Sequence, residues 1–232
     1  MDKDVLIVAG GKGLRMGGDL PKQFIPMRGK PLLMHTLEAF HRWDASARII
    51  LVLPEDHQPY WNMLCKEIGC KVPHAIVKGG DTRFFSVKNG LDWLLAERRR
   101  KGEEDSGLSL VAVHDGVRPF VSPEVVEACF DKAAVTGAVI PVVPMIDSLR
   151  ETDEKGSHPV DRSRYMAVQT PQVFLLELLT KAYEQPYSSL FTDDASVVEA
   201  MGHAIDTVPG DRENIKITTP FDLLIAEAMF AR

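Results

Sequence analysis

The sequence predicts an α/β fold: a single Rossmann-like domain with a mainly parallel central sheet flanked by helices, plus a protruding β-arm. Three observations predict it. Five short apolar runs are continuous rather than alternating, as strands buried on both faces are. Segments of helical length separate them, with apolar residues recurring every three or four positions, which is the order of a sheet covered by helices. A polar stretch, 147–165, interrupts this pattern late in the chain and has little to bury. At 232 residues, 45% of them hydrophobic, the chain is long enough for one well-filled core.

In order, the apolar runs are Val5–Ala9, Ile49–Leu53 (stopped by Pro54), His74–Val77, Leu110–Val113 and Ala138–Val143. Helices are predicted over Pro31–Trp43, Asp56–Ile68, Ser86–Arg100 and Pro123–Thr136. Ser122-Pro123-Glu124 is a good helix start, a capping serine before a proline at the first helical position. Gly69 and Gly137 are suitable stops. The 147–165 stretch carries Gly156 and Pro159; its composition suits a surface loop or a β-arm that packs on a second subunit. Beyond it, Val173–Tyr183, Asp193–Met201 and Phe221–Ala231 read as helices, and Ile205–Val208 and Ile215–Ile217 as short strands.

Composition narrows the function. No apolar run approaches the roughly 20 residues of a membrane span. Met1-Asp2-Lys3-Asp4 and the short run after it do not make a signal peptide. Cys65, Cys70 and Cys129 are too few for a disulfide scaffold, and Cys65 and Cys70 lack metal-site spacing, so a reduced, cytoplasmic protein is expected. With 27 basic and 33 acidic residues the formal charge is −6, which argues against a nucleic-acid binder that relies on a general positive field. An anionic small substrate would need a local cluster of Lys and Arg.

Three loops supply such clusters. Ala9-Gly10-Gly11-Lys12-Gly13-Leu14-Arg15 directly follows the first strand and continues to Pro21-Lys22-Gln23-Phe24. Glycines let consecutive N–H groups aim at an anion, and Arg15 and Lys22 add charge, so the loop suits a triphosphate. It is not a P-loop, because no G-x-x-x-x-G-K-[ST] is present, nor a dinucleotide fingerprint, because the third glycine, Gly17, falls one residue late; this counts against a dehydrogenase. Gly79-Gly80-Asp81-Thr82-Arg83-Phe84-Phe85-Ser86 follows the third run. Asp81 and Ser86 suit a base edge or a helix cap, and capping is the simpler local account of Ser86. His114-Asp115-Gly116-Val117-Arg118-Pro119 follows the fourth run, where Asp115 and Arg118 suit a ligand site or a local ion pair. All three lie at the carboxyl ends of predicted parallel strands, where open α/β sheets bind ligands. Further on stand Asp161-Arg162, Gln169-Thr170-Pro171-Gln172, Thr192-Asp193-Asp194-Ala195 (a helix-cap type) and Asn214-Ile215-Lys216-Ile217-Thr218. Lys216 is either an edge-strand gatekeeper or points into a site. The seven histidines are scattered, so a tight transition-metal site is not expected.

Together, A-G-G-K-G-L-R-M…P-K-Q-F, G-G-D-T-R…S-V, H-D-G-V-R-P, Q-T-P-Q and N-I-K-I-T-T-P resemble the polyol-phosphate cytidylyltransferases. Within them the chain looks like the 2-C-methyl-D-erythritol 4-phosphate cytidylyltransferase family of the non-mevalonate isoprenoid pathway. The likeness runs from about Val5 to Glu227, with the motifs in the family's order. Ribitol 5-phosphate cytidylyltransferases share most of these motifs; Thr192-Asp193-Asp194-Ala195-Ser196 and Val160-Asp161-Arg162 resemble the methylerythritol group. Ser148 stands where that group usually has threonine, and Gly116 where alanine is common, which should matter little if only its backbone is used.

The resemblance implies one nucleotidyltransferase domain over 1–232, with 147–165 as an inserted dimerisation arm. It implies that CMP passes from CTP to the polyol phosphate and pyrophosphate leaves, with Mg²⁺ expected to be carried largely by the CTP phosphates and Asp115 as the nearest candidate for a direct or water-mediated role. Carried over residue by residue, Arg15, Lys22 and Lys216 become catalytic. Ala9, Gly10, Gly11, Gly13, Gly80, Asp81, Arg83, Ser86 and Gly116 become nucleotide-binding. Asp115, Arg118, Ser148, Arg162, Thr170 and Thr192 surround the polyol phosphate, Arg162 from a neighbouring subunit, so that a homodimer is the expected working unit. A catalytically silent nucleotide-binding protein on the same fold is the reading from a different class.

Overall fold

Val5, Leu6 and Ile7 are wholly buried, and their burial on both sides fixes the centre of the molecule. The computed structural model describes residues 1–10, 20–103 and 107–231. Strand β1 (Asp2–Val8) lies between two parallel neighbours. After it come two-residue strands β2 (Pro26–Met27) and β3 (Lys30–Pro31), which pair only with each other among the described residues, then α1 (Leu32–Trp43), β4 (Arg48–Leu53), α2 (Gln58–Ile68) and β5 (Ala75–Lys78). The chain continues through α3 (Arg83–Lys101), β6 (Ser109–Asp115), α4 (Pro123–Thr136) and β7 (Ala138–Pro144). β8 (Leu149–Asp153) and β9 (Gly156–Val160) precede β10 (Met166–Val168), β11 (Gln172–Leu175), α5 (Leu176–Ala182), α6 (Asp194–Glu199), β12 (Asp206–Pro209) and α7 (Pro220–Met229).

Strands β5, β4, β1 and β6 are parallel neighbours in that order. Beyond β6 the sheet turns mixed: β11 runs antiparallel to both β6 and β7. β10 continues along the same side of β7, and β12 lies parallel on its other side. Because β1 connects outward to β4 and β5 and the chain then returns to β6 on its other flank, the strand order reverses between β1 and β6. That reversal opens a crevice at the carboxyl ends of the two strands.

Alternate residues of the strands face two cores. Val5 and Ile7 join α1, α2 and α4 through Leu37, Phe40, Trp61 and Phe130. Leu6 and Ile50 join α3, α5 and α6 through Leu91, Leu94, Leu179 and Val198. A smaller cluster of Met27, Leu32, Val117, Ile217 and Ala226 seats α7. The expected helix ends are present: Ser122 accepts from Val125 N, and Gly69 and Gly137 adopt φ of +75° and +89°.

The structure corrects two elements. Val173–Tyr183 is not one helix: Gln172–Leu175 is a strand, and the helix begins at Leu176. Val173 and Phe174 enter opposite cores, so both faces are apolar and the alternation of a strand is hidden in the sequence. Ile215–Ile217 forms no strand; Ile217 N donates to Val117 O at 3.0 Å and its side chain is buried under α7, within an irregular loop. The third helix also begins at Arg83 rather than Ser86. The 147–165 stretch is a β-hairpin, with Leu149 opposite Val160, whose residues are almost all exposed.

Phe174→Ala should cost about 3–5 kcal/mol, because it empties a buried site between β11 and α5. Urea unfolding measures this, and a loss under 1 kcal/mol would contradict the placement of Phe174 in the sheet.

Candidate functional site

The ends of β1, β5 and β6 and the loop after β12 meet around a cleft of about 250 Å³, lined by Ala9, Gly10, Lys22, Gly80, Asp81, Arg83, Ser86, Asp115 and Lys216 among others. Residues distant in sequence and expected to share a site are therefore side by side. Gly11, Gly13 and Arg15 lie outside the described residues.

Lys22 sits in a single 3₁₀ turn, Lys22–Phe24, held by its neighbours. The buried Gln23 amide donates to Ala9 O at 3.1 Å, which ties the turn to the end of β1. Phe24 packs edge-on against Tyr60 and stacks with Trp61, both on α2.

In the second loop, Thr82 caps α3 by accepting from Phe85 N. Ser86 does not cap. Its hydroxyl donates to Thr82 O at 2.9 Å and accepts from Gly80 N at 3.1 Å, folding the loop over the helix start. Gly80 is required there, since a Cβ would lie 2.4 Å from Phe85 Cβ. Arg83 grips the buried Asp194 with two bonds of 2.8 and 2.6 Å, and Tyr183 OH donates to the same carboxylate at 2.6 Å. Such a bidentate pair fixes the guanidinium plane.

Asp115 is the hub. Lys216 Nζ lies 3.0 Å from Oδ2, Arg118 Nε 3.4 Å from the same oxygen, and Arg83 Nε 3.9 Å from Oδ1. Burial alone would raise this carboxyl, but Lys216, Arg83 and Arg118 overcome it and hold the group well below the usual carboxylate range. Arg118 also donates to Asn214 O at 2.7 Å, so it ties the Lys216 loop to Asp115 and is not part of the described cleft lining.

Thr170 lies beneath the cleft floor. Its hydroxyl accepts from Asp115 N at 3.2 Å and contacts His114 Nδ1 at 3.1 Å, while His114 Nε2 contacts Arg118 O at 3.0 Å. A carbonyl only accepts, so Nε2 carries the proton and Thr170 donates to Nδ1. On either side of Thr170 stand two glutamines. Gln169 donates to Asp211 O at 2.7 Å and accepts from Asp211 N at 3.1 Å, which anchors the loop leading to Lys216. Gln172 accepts from Asp194 N and Ala195 N at 3.0 Å each and donates to Asp193 at 2.8 Å, which anchors the loop of Arg83's partner. Asp193 is itself the α6 cap, in a capping box with Ser196.

The backbone of Gly116 is tied into the fold: its N donates to Val8 O at 2.9 Å and its O accepts from Thr36 at 3.0 Å. Its lack of a side chain also matters, because a Cβ would lie 2.8 Å from Ala9 Cβ and 3.0 Å from Leu33 Cδ1. Ser148, Arg162 and Thr192 are exposed and outside the described cleft lining of this chain. Arg162 donates to Ile146 O at the base of the hairpin. Among the described residues no cluster of three His, Cys, Asp or Glu is placed to hold a metal ion. With three cations around it, Asp115 does not fit a direct metal-ligand role.

The family model for 2-C-methyl-D-erythritol 4-phosphate cytidylyltransferase matches residues 4–232. The chain belongs to this family. A relative of that name from Bacteroides fragilis is 56% identical over 99% of this chain and 100% of its own, and one from Porphyromonas gingivalis is 52% identical over 97% and 96%. The fold is similar to the crystal structure of the Thermus thermophilus protein of the same name, at TM-score 0.74 and 32% identity over 100% of both chains. It is also similar to a 4-diphosphocytidyl-2C-methyl-D-erythritol synthase from Anaerococcus prevotii, at TM-score 0.79 and 28% identity over 100% of this chain and 96% of that one. As a member of the 2-C-methyl-D-erythritol 4-phosphate cytidylyltransferases, the chain is a nucleotidyltransferase that makes 4-diphosphocytidyl-2-C-methylerythritol from CTP in isoprenoid biosynthesis.

The family motifs thus divide into residues that line the cleft and residues that hold them. The sequence reading did not assign Asp194, Tyr183, Gln169, Gln172, Asn214 or His114. All of these but Tyr183 stood in quoted motifs, and Asp194 followed an evident cap, but a buried acid needs its basic partner in space to be noticed.

Burial pushes the His114 imidazole down to about 4, against about 6.5 in the unfolded chain. As pH falls below about 6.5 the unfolded state takes up this proton first, so the contribution of His114 to stability should drop by about 2 kcal/mol between pH 7 and pH 5. Urea titrations of the parent and His114→Gln at both pH values test this: the parent should lose about that much more than the variant. Equal losses would mean that the imidazole is not held neutral.

Proposed function

We propose that the cleft performs this transfer by in-line displacement, with the reacting phosphates held between Lys22 and Lys216. The polyol phosphate oxygen attacks the α-phosphorus of CTP, a new P–O bond forms, the bond to the β-phosphate bridge breaks, and pyrophosphate leaves with that electron pair. Little covalent help is needed. The obstacle is that two polyanions must touch, and fixed positive groups remove it. The observation that carries the reading is the meeting of Lys22, Arg83 and Lys216 with the Gly10 and Gly80 loops around one cleft.

In this reading Lys22, with Arg15, stabilises the developing charge and the departing pyrophosphate. Lys216 bridges the α-phosphate and the incoming phosphate, aimed by Asp115. The amides of Ala9, Gly10, Gly11 and Gly13 cradle the triphosphate, and Gly80, Asp81 and Ser86 read cytosine. Arg83 supports that loop, and Gly116 lies close to the ribose. Asp115, Arg118 and Thr170 shape the acceptor's side of the floor. The family is generally divalent-cation dependent. Mg²⁺ would arrive on the CTP phosphates and supply further charge neutralisation there, and no protein residue is assigned to it.

Ser148, Arg162 and Thr192 complete the acceptor site in a homodimer, Arg162 from the partner's arm. What supports this is an exposed hairpin with a basic residue at its base, away from its own chain's cleft. No described helix is long and apolar enough to cross a membrane; a cytoplasmic setting fits the substrates of such an enzyme.

Lys22→Ala should lower turnover at least about a hundredfold, the size of a lost oxyanion donor, with the fold retained by circular dichroism. Near-normal turnover would refute the role. Arg162→Ala should raise KM for the polyol phosphate more than for CTP, and a fully active monomer at low concentration would defeat the shared site. Pyrophosphate release with methylerythritol phosphate should exceed that with ribitol 5-phosphate in parallel assays. A reversed preference would overturn the assigned acceptor.

A further inference from the structure

Helix α2 ends in a turn that sets two cysteines side by side. Gly69, at φ +75°, reverses the chain, and Cys70 N donates to Cys65 O at 2.9 Å while Gly69 N donates to the same oxygen at 3.0 Å. The bond from Cys70 is the six-to-one closure of a Schellman end, which brings the residues flanking the turn into contact. With standard backbone geometry, an N···O contact this short limits the two α-carbons to a separation of at most about 6.8 Å, within the span that a disulfide bridges. The two thiols are close enough to perturb each other's ionisation, Cys65 upward and Cys70 downward. Both are partly exposed, whereas Cys129 is buried in the core.

We propose that Cys65 and Cys70 form a redox-active dithiol that closes reversibly to an intramolecular disulfide, with a low-molecular-weight disulfide as oxidant. The Cys70 thiolate attacks one sulfur of the reagent, whose S–S bond breaks and whose other half leaves as a thiolate and takes up a proton. Cys65 then loses its proton and attacks the Cys70 sulfur, expelling the second half as a thiol. Two electrons and two protons pass to the reagent, which becomes two thiols, and one protein disulfide is formed.

Local chemistry favours Cys70 as the attacking group. The nearby Cys65 thiol, the Val72 amide and Lys30 hold Cys70 below the ordinary thiol range, although partial burial and Glu38 oppose. Cys65 is correspondingly raised, mainly by the neighbouring Cys70, as suits the resolving partner. The bridge would span one exposed turn and leave every cleft residue in place.

The test is intact-mass analysis of the folded enzyme after incubation in oxidised glutathione, with alkylation of the remaining thiols and peptide mapping. The expected product has lost two hydrogens, joins Cys65 to Cys70, leaves Cys129 free and is restored by dithiothreitol. Cys65→Ser should instead trap one glutathione on Cys70, with turnover of the reduced variant equal to the parent's. A parent protein that keeps both thiols free in fully oxidised glutathione overturns the proposal. So does one that accumulates a glutathione adduct without closing the bridge. Peptide mapping of the parent decides the matter even where a serine variant fails to fold.

Discussion

The cleft depends on one carboxylate with three cations around it. Asp115 sits at the end of the second central strand, nearly out of water, and it can remain charged only because Lys216, Arg118 and Arg83 answer it. Removing one member of such a group leaves an uncompensated charge indoors, so the members stand or fall together. The same attraction draws three separate loops inward. The loop after β12 is pulled by Lys216, the start of α3 by Arg83, and Asp115's own loop is closed by Arg118. A site for anions is thereby assembled in a chain whose formal charge is −6.

Beneath that group lies a second layer of neutral hydrogen bonds. Thr170, His114 and Asn214 fill the space under the floor, with Asn214 Nδ2 donating to Thr170 O at 2.8 Å. Gln169 and Gln172, three residues apart, reach different loops, so a single stretch of chain positions both the Lys216 loop and the Asp194 that orients Arg83. The order of the site thus comes from amides and hydroxyls whose bonds are directional, while its charge comes from groups that would otherwise be mobile.

Much of this was legible in the sequence. Unbroken apolar runs gave the central strands, because burial on both faces leaves no polar position. Glycine-and-charge loops gave the cleft, because every one follows a strand end. What stayed hidden was non-local. Val173 and Phe174 face two apolar cores at once, so their strand looks like the start of the helix that follows. Ile217 is apolar because it lies under α7, not because it belongs to a sheet. Ser86 suited a cap, but Thr82 takes that role and leaves the serine hydroxyl to shape the Gly80 loop. The pairing of Arg83 with Asp194 spans 111 residues, and nothing local announces it.

The hairpin 147–165 interrupts the connection between β7 and β10, and those strands are already partners, with Pro144 opposite Met166. An ordinary tight bend would join them without re-threading the sheet. The projection is therefore an elaborated bend, whose length and charge can change while the scaffold beneath is left alone.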